Sequence, residues 1–310
     1  MPSRIVVALD TSEVAESALP LARALAQSRK LPITLVSVVD GPAEFFAWAS
    51  DRSEVDSTIR REAERREYLE GIAVSQFQGL TVDVATLSGH AANELVSYVN
   101  ELDDPILVMT THGRTGLRRV MMGSVVARVL HGVTCPVVVS RAASSDHPVE
   151  ITGNITKVVV PLDGSQFAEH ALNTAESTLS DPAVEFHLVR VPEQVYWQSS
   201  SYGMADYQAI EMYMDAAEQE SKTYLQTMAD DLTKRGRKVT WEVRTGLIAD
   251  VILEAVKETS ANLVAMASHG RSGFTRFVMG SVAERVLHDA PVPVMMVGPQ
   301  DADVAAEESK

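Results

Sequence analysis

The chain contains 310 residues, of which 45% are hydrophobic and 22% are charged, a balance typical of a folded globular protein. Its 27 Lys and Arg residues against 42 Asp and Glu residues give a net charge of −15, which opposes general binding to nucleic acids. No apolar run approaches the ~20 residues of a membrane-spanning helix, and the single cysteine excludes an intrachain disulfide. We therefore expect a cytoplasmic protein without a membrane or nucleic-acid partner.

Strand-like and helix-like patterns alternate through the first half of the chain. Continuous apolar runs indicate buried strands, and apolar residues at helical spacing indicate helices. The patterns predict strands over 4–9, 33–39, 81–87, 106–110 and 136–140, and helices over 12–28, 53–76, 91–101 and 124–131. Ser12 is a candidate N-cap of the first helix.

The second half of the chain repeats the first. The segment RIVVALD at 4–10 returns as KVVVPLD at 157–163, and THGRTGLRRVMMGS at 111–124 returns as SHGRSGFTRFVMGS at 268–281. Strands are predicted again, over 157–162, 184–191, 238–243, 262–267 and 293–297. The duplication predicts two domains, 1–141 and 157–299, with a linker over 142–156 and a flexible tail over 300–310.

Strands that alternate with helical crossovers predict an α/β fold with a parallel sheet covered on both faces. We expect two tandem doubly wound five-stranded domains, each with the strand order 3-2-1-4-5. The last strand of each domain would then be an exposed apolar edge, which is hazardous in a monomer. Pairing of 137–139 with 294–297 removes both edges and predicts an internal pseudo-dimer.

The strand order predicts a ligand site in each domain, because open α/β sheets bind ligands at the carboxyl ends of strands where the order reverses. Asp10 ends strand 1, and a loop with Gly113 and Arg114 follows strand 4. Gly123 and Ser124 open the next helix, whose first amides favour a phosphate; Ser124 adds a hydroxyl donor or caps the helix. The second domain repeats these positions with Asp163, Gly270, Arg271, Gly280 and Ser281.

At these residues the chain resembles the universal stress protein family in its tandem two-domain form. Nucleotide-binding members of that family carry G-x2-G-x9-G-(S/T) after strand 4. This chain has the second glycine and the Gly-Ser pair twice, with Thr110 and Ala267 in place of the first glycine. The resemblance implies ATP or AMP as the ligand, allows for Mg²⁺, and implies that the backbone at Val38 and Val191 contacts the adenine.

These observations favour a stress-response regulatory protein that binds an adenine nucleotide at one site per domain. Two alternatives stay open: a stress scaffold that binds no nucleotide and acts through protein contacts, and a slow Mg-dependent ATPase. The sequence contains no Walker A motif, no dinucleotide-binding G-x-G-x-x-G and no G-x-S-x-G, so efficient catalysis is not expected. A protein partner and further homodimerisation are compatible with the sequence, which identifies neither.

Overall fold

The computed structural model describes residues 2–39, 52–111, 123–141, 154–192, 207–268 and 279–298. The first domain contains strands β1 (Arg4–Ala8), β2 (Ile33–Val39), β3 (Val82–Ser88), β4 (Pro105–Thr110) and β5 (Val137–Ser140). Its helices are α1 (Glu13–Glu16), α2 (Leu19–Arg29), α3 (Arg52–Gln76), α4 (Ala91–Asn100) and α5 (Ser124–Gly132).

The second domain repeats this order of elements. Its strands are β6 (Lys157–Pro161), β7 (Glu185–Arg190), β8 (Lys238–Val243), β9 (Leu263–Ala267) and β10 (Val294–Val297). Its helices are α6 (Gln166–Thr178), α7 (Tyr207–Lys234), α8 (Ile248–Thr259) and α9 (Ser281–Asp289). Among the helices that the structure describes, none combines the length and the hydropathy that crossing a bilayer requires.

All ten strands join one sheet in the order β3-β2-β1-β4-β5-β10-β9-β6-β7-β8. Neighbouring strands within each domain are parallel, so both domains have the predicted order 3-2-1-4-5. The predicted fold class is therefore confirmed.

The two domains are joined by antiparallel pairing of β5 with β10. Val138 lies opposite Met295, with Val137 opposite Met296 and Val139 opposite Val294. These side chains are almost fully buried. The pairing confirms the predicted internal pseudo-dimer, since each domain's last strand covers the edge of the other.

Helices cover both faces of the sheet. One core lies under α2, α3, α6 and α7, with Leu25, Leu69, Leu172 and Leu225 among its buried side chains. The other lies under α4, α5, α8 and α9, with Leu95, Val129, Ile252 and Val286. Each core contains strand residues from both domains, so burial of apolar surface is continuous across the β5–β10 pairing.

The predicted single helix over 12–28 is wrong, because the structure divides it into α1 and α2. Pro20 has no amide hydrogen and cannot donate to the carbonyl of Glu16, so the helix ends there and restarts with Pro20 in its first turn. The predicted cap is confirmed: the Ser12 hydroxyl accepts a hydrogen bond from the Ala15 amide at 3.1 Å. The other predicted elements agree with the structure within a few residues.

Candidate functional site

The carboxyl ends of β1 and β4 lie side by side at the reversal point of the first domain. Val7 is opposite Val108, so Asp10 and Thr111 each follow three residues later. In the second domain β6 and β9 are neighbours in the same way, and Val159 lies opposite Val264. The two repeated sequence features therefore meet at one edge of the sheet in both domains.

The first feature is an aspartate that is fixed in a turn. Asp10 Oδ1 accepts hydrogen bonds from the Ser12 amide at 3.1 Å and from the Ser12 hydroxyl at 2.5 Å. Asp163 Oδ1 accepts the same two bonds from Ser165, at 2.9 Å and 2.6 Å. Because each serine also caps the following helix, the carboxylate is tied to the helix start.

The second feature is the helix that begins after the glycine-rich loop. The Gly123 amide donates to the Thr111 carbonyl at 3.1 Å, and the Gly280 amide donates to the Ser268 carbonyl at 3.0 Å. These bonds bring the end of each loop back to its start. Gly123 and Gly280 are the N-cap residues of α5 and α9, as predicted.

Ser124 is the first residue of α5 and its side chain is exposed, as is Ser281 at the start of α9. Neither serine caps its helix, so the capping alternative for Ser124 is wrong. The first amides of a helix have no partner within it, and the helix dipole adds partial positive charge there. Exposed hydroxyls beside such amides suit a phosphate.

The two N-cap glycines differ in the space that is available for a Cβ atom. Both have negative φ, so neither is needed for a left-handed conformation. A Cβ on Gly123 would lie 2.9 Å from the Thr111 carbonyl oxygen, whereas a Cβ on Gly280 would lie 3.5 Å from that of Ser268. For steric reasons, therefore, the N-cap position requires glycine in the first domain only, where a Cβ would crowd the Thr111 carbonyl oxygen.

Thr110 and Ala267, which stand in place of the first glycine of the family motif, are ordinary strand residues. Thr110 ends β4 opposite Ser140, and Ala267 ends β9 opposite Val297. Neither residue is among the described non-glycine residues with positive φ. The side chains of Thr110 and Ala267 therefore fit the backbone without strain.

The strand-2 backbone points toward the same edge. The Val36 carbonyl accepts from the Leu9 amide at 2.8 Å, so it faces β1. Peptide groups alternate in direction along a strand, so those of Val38 also face the β1 side, where β1 has ended. In the second domain the Val189 carbonyl faces β6 in the same way, and Val191 follows two residues later.

Sequence reasoning missed a tyrosine–glutamate pair behind each aspartate. Tyr68 on α3 donates to Glu16 Oε1 at 2.8 Å, and Tyr224 on α7 donates to Glu169 Oε1 at 2.9 Å. Burial first, and then the glutamate, raise the pKa of both hydroxyls above the ordinary tyrosine value. The repeat itself was the available signal, since both partners recur at nearly the same offset.

Four predicted site residues, Gly113, Arg114, Gly270 and Arg271, lie outside the described residues, as do the tail and most of the linker. Across the described ranges, no three His, Cys, Asp or Glu side chains gather where they could hold a metal ion.

A model of the universal stress protein family matches residues 1–141 and 154–298. The chain belongs to this family. A universal stress protein of Mycobacterium tuberculosis is 27% identical over 309 residues, which cover 94% of this chain and 96% of that protein. One from Methanocaldococcus jannaschii is 30% identical over 145 residues, 46% of this chain and 81% of its own length.

Solved structures show the same fold across the whole universal stress protein chain. A crystal structure of a universal stress protein from Archaeoglobus fulgidus has a TM-score of 0.70 at 20% identity and covers 96% of this chain and 99% of its own. A protein of unknown function from Pseudomonas aeruginosa has a TM-score of 0.62 at 14% identity, with 99% and 96% coverage. The tandem arrangement therefore recurs in other members of the fold.

Proposed function

We propose that this universal stress protein binds an adenine nucleotide, ATP or AMP, at one site in each domain and acts as a stress-response regulator. One observation carries the proposal. An aspartate turn and a glycine-opened helix stand at neighbouring carboxyl ends of the sheet, and both domains build this arrangement from the same residue types. That edge is where open α/β sheets bind ligands.

The residues present fit the parts of a nucleotide. In the first domain, the opening amides of α5 and the Ser124 hydroxyl would hold phosphate oxygens. Asp10 would accept hydrogen bonds from ribose hydroxyls, and the peptide groups of Val38 would pair with the adenine edge. The second domain offers Ser281, Asp163 and Val191 for the same tasks. We assign Gly113, Arg114, Gly270 and Arg271 to the phosphate loops, and Mg²⁺ would neutralise phosphate charge when it is bound.

The net charge of −15 makes these local donors necessary, since the overall field repels an anion. A hydrogen bond to a charged group contributes about 1.5–3 kcal/mol, and micromolar affinity corresponds to about 8 kcal/mol. Three or four such bonds at a helix start would therefore support binding in the micromolar range.

The first test identifies and counts small molecules released from purified, denatured protein by chromatography and mass spectrometry. Titration calorimetry with ATP and AMP follows on the wild type and on Gly123→Glu combined with Gly280→Glu. We expect binding in the wild type and none in the double variant, because each glutamate adds bulk and negative charge at a helix start. Gly71→Glu is the control for added charge, since its exposed position on α3 has no atom within 4 Å of the new Cβ.

Two results would remove the proposal. Unchanged affinity in the double variant would place the nucleotide elsewhere. A wild type that binds no nucleotide at millimolar concentration would favour the scaffold that acts through protein contacts. Cytoplasmic location and further homodimerisation stay predictions, to be checked by cell fractionation and analytical ultracentrifugation. The domain limits of 1–141 and 157–299 are predictions of the same kind, which limited proteolysis tests.

A further inference from the structure

In the second domain a series of side-chain contacts, here called the contact chain, runs from Asp163 through Ser165, Glu169 and Tyr224 to Arg190 at the end of β7. Ser165 binds Asp163 and caps α6, and Glu169 lies in the first turn of that helix. Tyr224 of α7 donates to Glu169 Oε1 at 2.9 Å. The guanidinium carbon of Arg190, the last residue of β7, lies 4.5 Å from the centre of the Tyr224 ring.

Arg190 is a buried cation. Its side chain is only 7% exposed, and its Nη2 lies 3.4 Å from Oε1 of Glu220, whose side chain is 74% exposed. A guanidinium taken out of water needs compensating contacts, and the tyrosine face supplies one through cation–π attraction. The Arg190 carbonyl also accepts a hydrogen bond from the amide of Arg244, the residue after β8, at 3.1 Å. Side chain and backbone of Arg190 therefore hold the end of β7 between α7 and β8.

Charges at both ends of the contact chain act on the pKa of the Tyr224 hydroxyl. Burial raises the pKa of Tyr224 most, and Glu169 raises it further. The positive charge of Arg190 lowers that pKa, and the negative charge of Asp163 raises it. Arg190 and Asp163 thus act on the same group, although Arg190 ends β7 and Asp163 lies in the turn after β6.

The first domain has the same contacts up to the tyrosine and then differs. Asp10, Ser12, Glu16 and Tyr68 repeat the first four members. The register pairs Ala8 with Val36 and Pro161 with Val189, so Ser37 takes the place of Arg190. The buried Ser37 hydroxyl donates to the carbonyl of Leu9, the residue after β1, at 2.5 Å. The end of β2 is therefore tied to its neighbouring strand, and α3 has no arginine from β2 on its tyrosine.

We propose that Arg190 is a positioning residue of the second nucleotide site, and that it makes the second site bind adenine nucleotide more tightly than the first. The inference rests on the proposed function. Arg190 precedes Val191, whose peptide groups would pair with the adenine, and the contact chain links it to Asp163, which would bind the ribose. If the Val191 backbone and the Asp163 carboxylate are already fixed relative to each other before the nucleotide binds, the entropic cost of binding is lower.

The experiment measures the dissociation constant of each site separately in the full chain. Gly123→Glu leaves the second site intact, and Gly280→Glu leaves the first. We expect the second site to bind ATP roughly tenfold more tightly than the first, because ordering one or two groups has an effect of that size. Arg190→Ser, which installs the residue of the first domain, should remove that difference and leave the first site unchanged.

Three measurements separate positioning from a loss of folding. Leu232→Ala removes a buried side chain of α7 outside the contact chain, so it should lower the unfolding midpoint without changing the second-site dissociation constant. Arg190→Lys keeps the charge without the planar group that stacks on Tyr224, so it should restore only part of the affinity. Circular dichroism and urea unfolding of each variant without nucleotide report its folding.

The outcomes distinguish the two proposals. A wild type that binds nucleotide at neither site overturns the proposed function and this inference with it. Binding at both sites with equal constants overturns the inference alone. So does a folded Arg190→Ser protein with an unchanged second site, or a Leu232→Ala protein that loses second-site affinity to the same extent.

Discussion

The two domains of this universal stress protein share an architecture and differ in how the same positions are stabilised. Both place an aspartate turn, a glycine N-cap and an exposed serine at the carboxyl edge of the sheet. They differ behind that edge. Pro20 divides the first long helix, whereas Asn173 lies at the matching position of the unbroken α6. The comparison teaches that the groups of the proposed nucleotide site are the same in both domains, while the contacts behind them differ.

A second difference lies in the turn after the first strand of each domain. Thr11 has a φ of +69°, and Gly164 at the matching position has a φ of +86°. This left-handed conformation suits glycine and is strained for a β-branched residue. The first domain therefore keeps the turn with a residue that fits it poorly, while the second uses the residue that fits it best.

The largest expected effect comes from breaking the pairing that joins the two domains. The carbonyls of Pro136 and Ser140 accept hydrogen bonds from the β4 side. Because directions alternate along a strand, the Val139 amide faces Val294 of β10. Val139→Pro removes that amide and leaves a buried carbonyl unpaired, which should cost about 3 kcal/mol or more once the clash of the ring is included. Urea unfolding should then show two transitions, and small-angle scattering should show separated domains. Val139→Ala is the control for lost packing alone. A single transition at the wild-type midpoint would contradict the role of this pairing.

The N-cap glycines give the next largest difference. Gly123→Ala should lower the free energy of unfolding by about 1–3 kcal/mol, because its Cβ would lie 2.9 Å from a backbone oxygen. Gly280→Ala has 3.5 Å of clearance, so we expect a change of about 0.5 kcal/mol or less. Urea denaturation measures both. Equal losses would show that the difference in clearance has no energetic consequence.

Two substitutions of Gly164, in the turn after the first strand of the second domain, distinguish backbone strain from the mere loss of a glycine. Gly164→Thr installs the residue of the first domain at positive φ and should cost about 1–2 kcal/mol. Gly164→Asn should cost less, since asparagine tolerates the left-handed region. Thermal unfolding compares the two variants. If threonine and asparagine were equally tolerated, the strain assigned to Thr11 would not exist.

The smallest effect is a pH dependence that both domains share. The pKa values of Tyr68 and Tyr224 are raised, so these tyrosines keep their protons in the folded chain above the usual pKa of about 10. Their contribution to stability is therefore complete below about pH 10 and is lost as the pH rises further. Tyr68→Phe and Tyr224→Phe should each flatten the alkaline fall in stability. The free energy of unfolding in urea, measured between pH 9 and 11, checks this expectation. If it fell as steeply with pH in both variants as in the wild type, the tyrosines would not cause the alkaline loss of stability.

Much of the candidate site was predictable because its signals are local and occur twice. Asp10 follows an apolar strand, and Gly123 precedes a helical pattern, so their neighbours in sequence indicate where they lie. The strand order then brings them together through general rules of α/β folds. The break at Pro20 was also local, and the helical spacing around it concealed the missing amide.

The sequence by itself determined the duplication, the alternation of strands and helices and the Ser12 cap, because these follow from patterns within short segments. The fold class that these patterns indicate then implied the strand order and the edge at which we expect a ligand. Only the tertiary structure decided that a Cβ on Gly123 would crowd a backbone carbonyl while one on Gly280 would have ordinary clearance, and that Arg190 stacks on Tyr224. Each of these distances depends on segments that are not adjacent in the chain. Their geometry depends on how helices pack on the sheet, which no short stretch of sequence specifies.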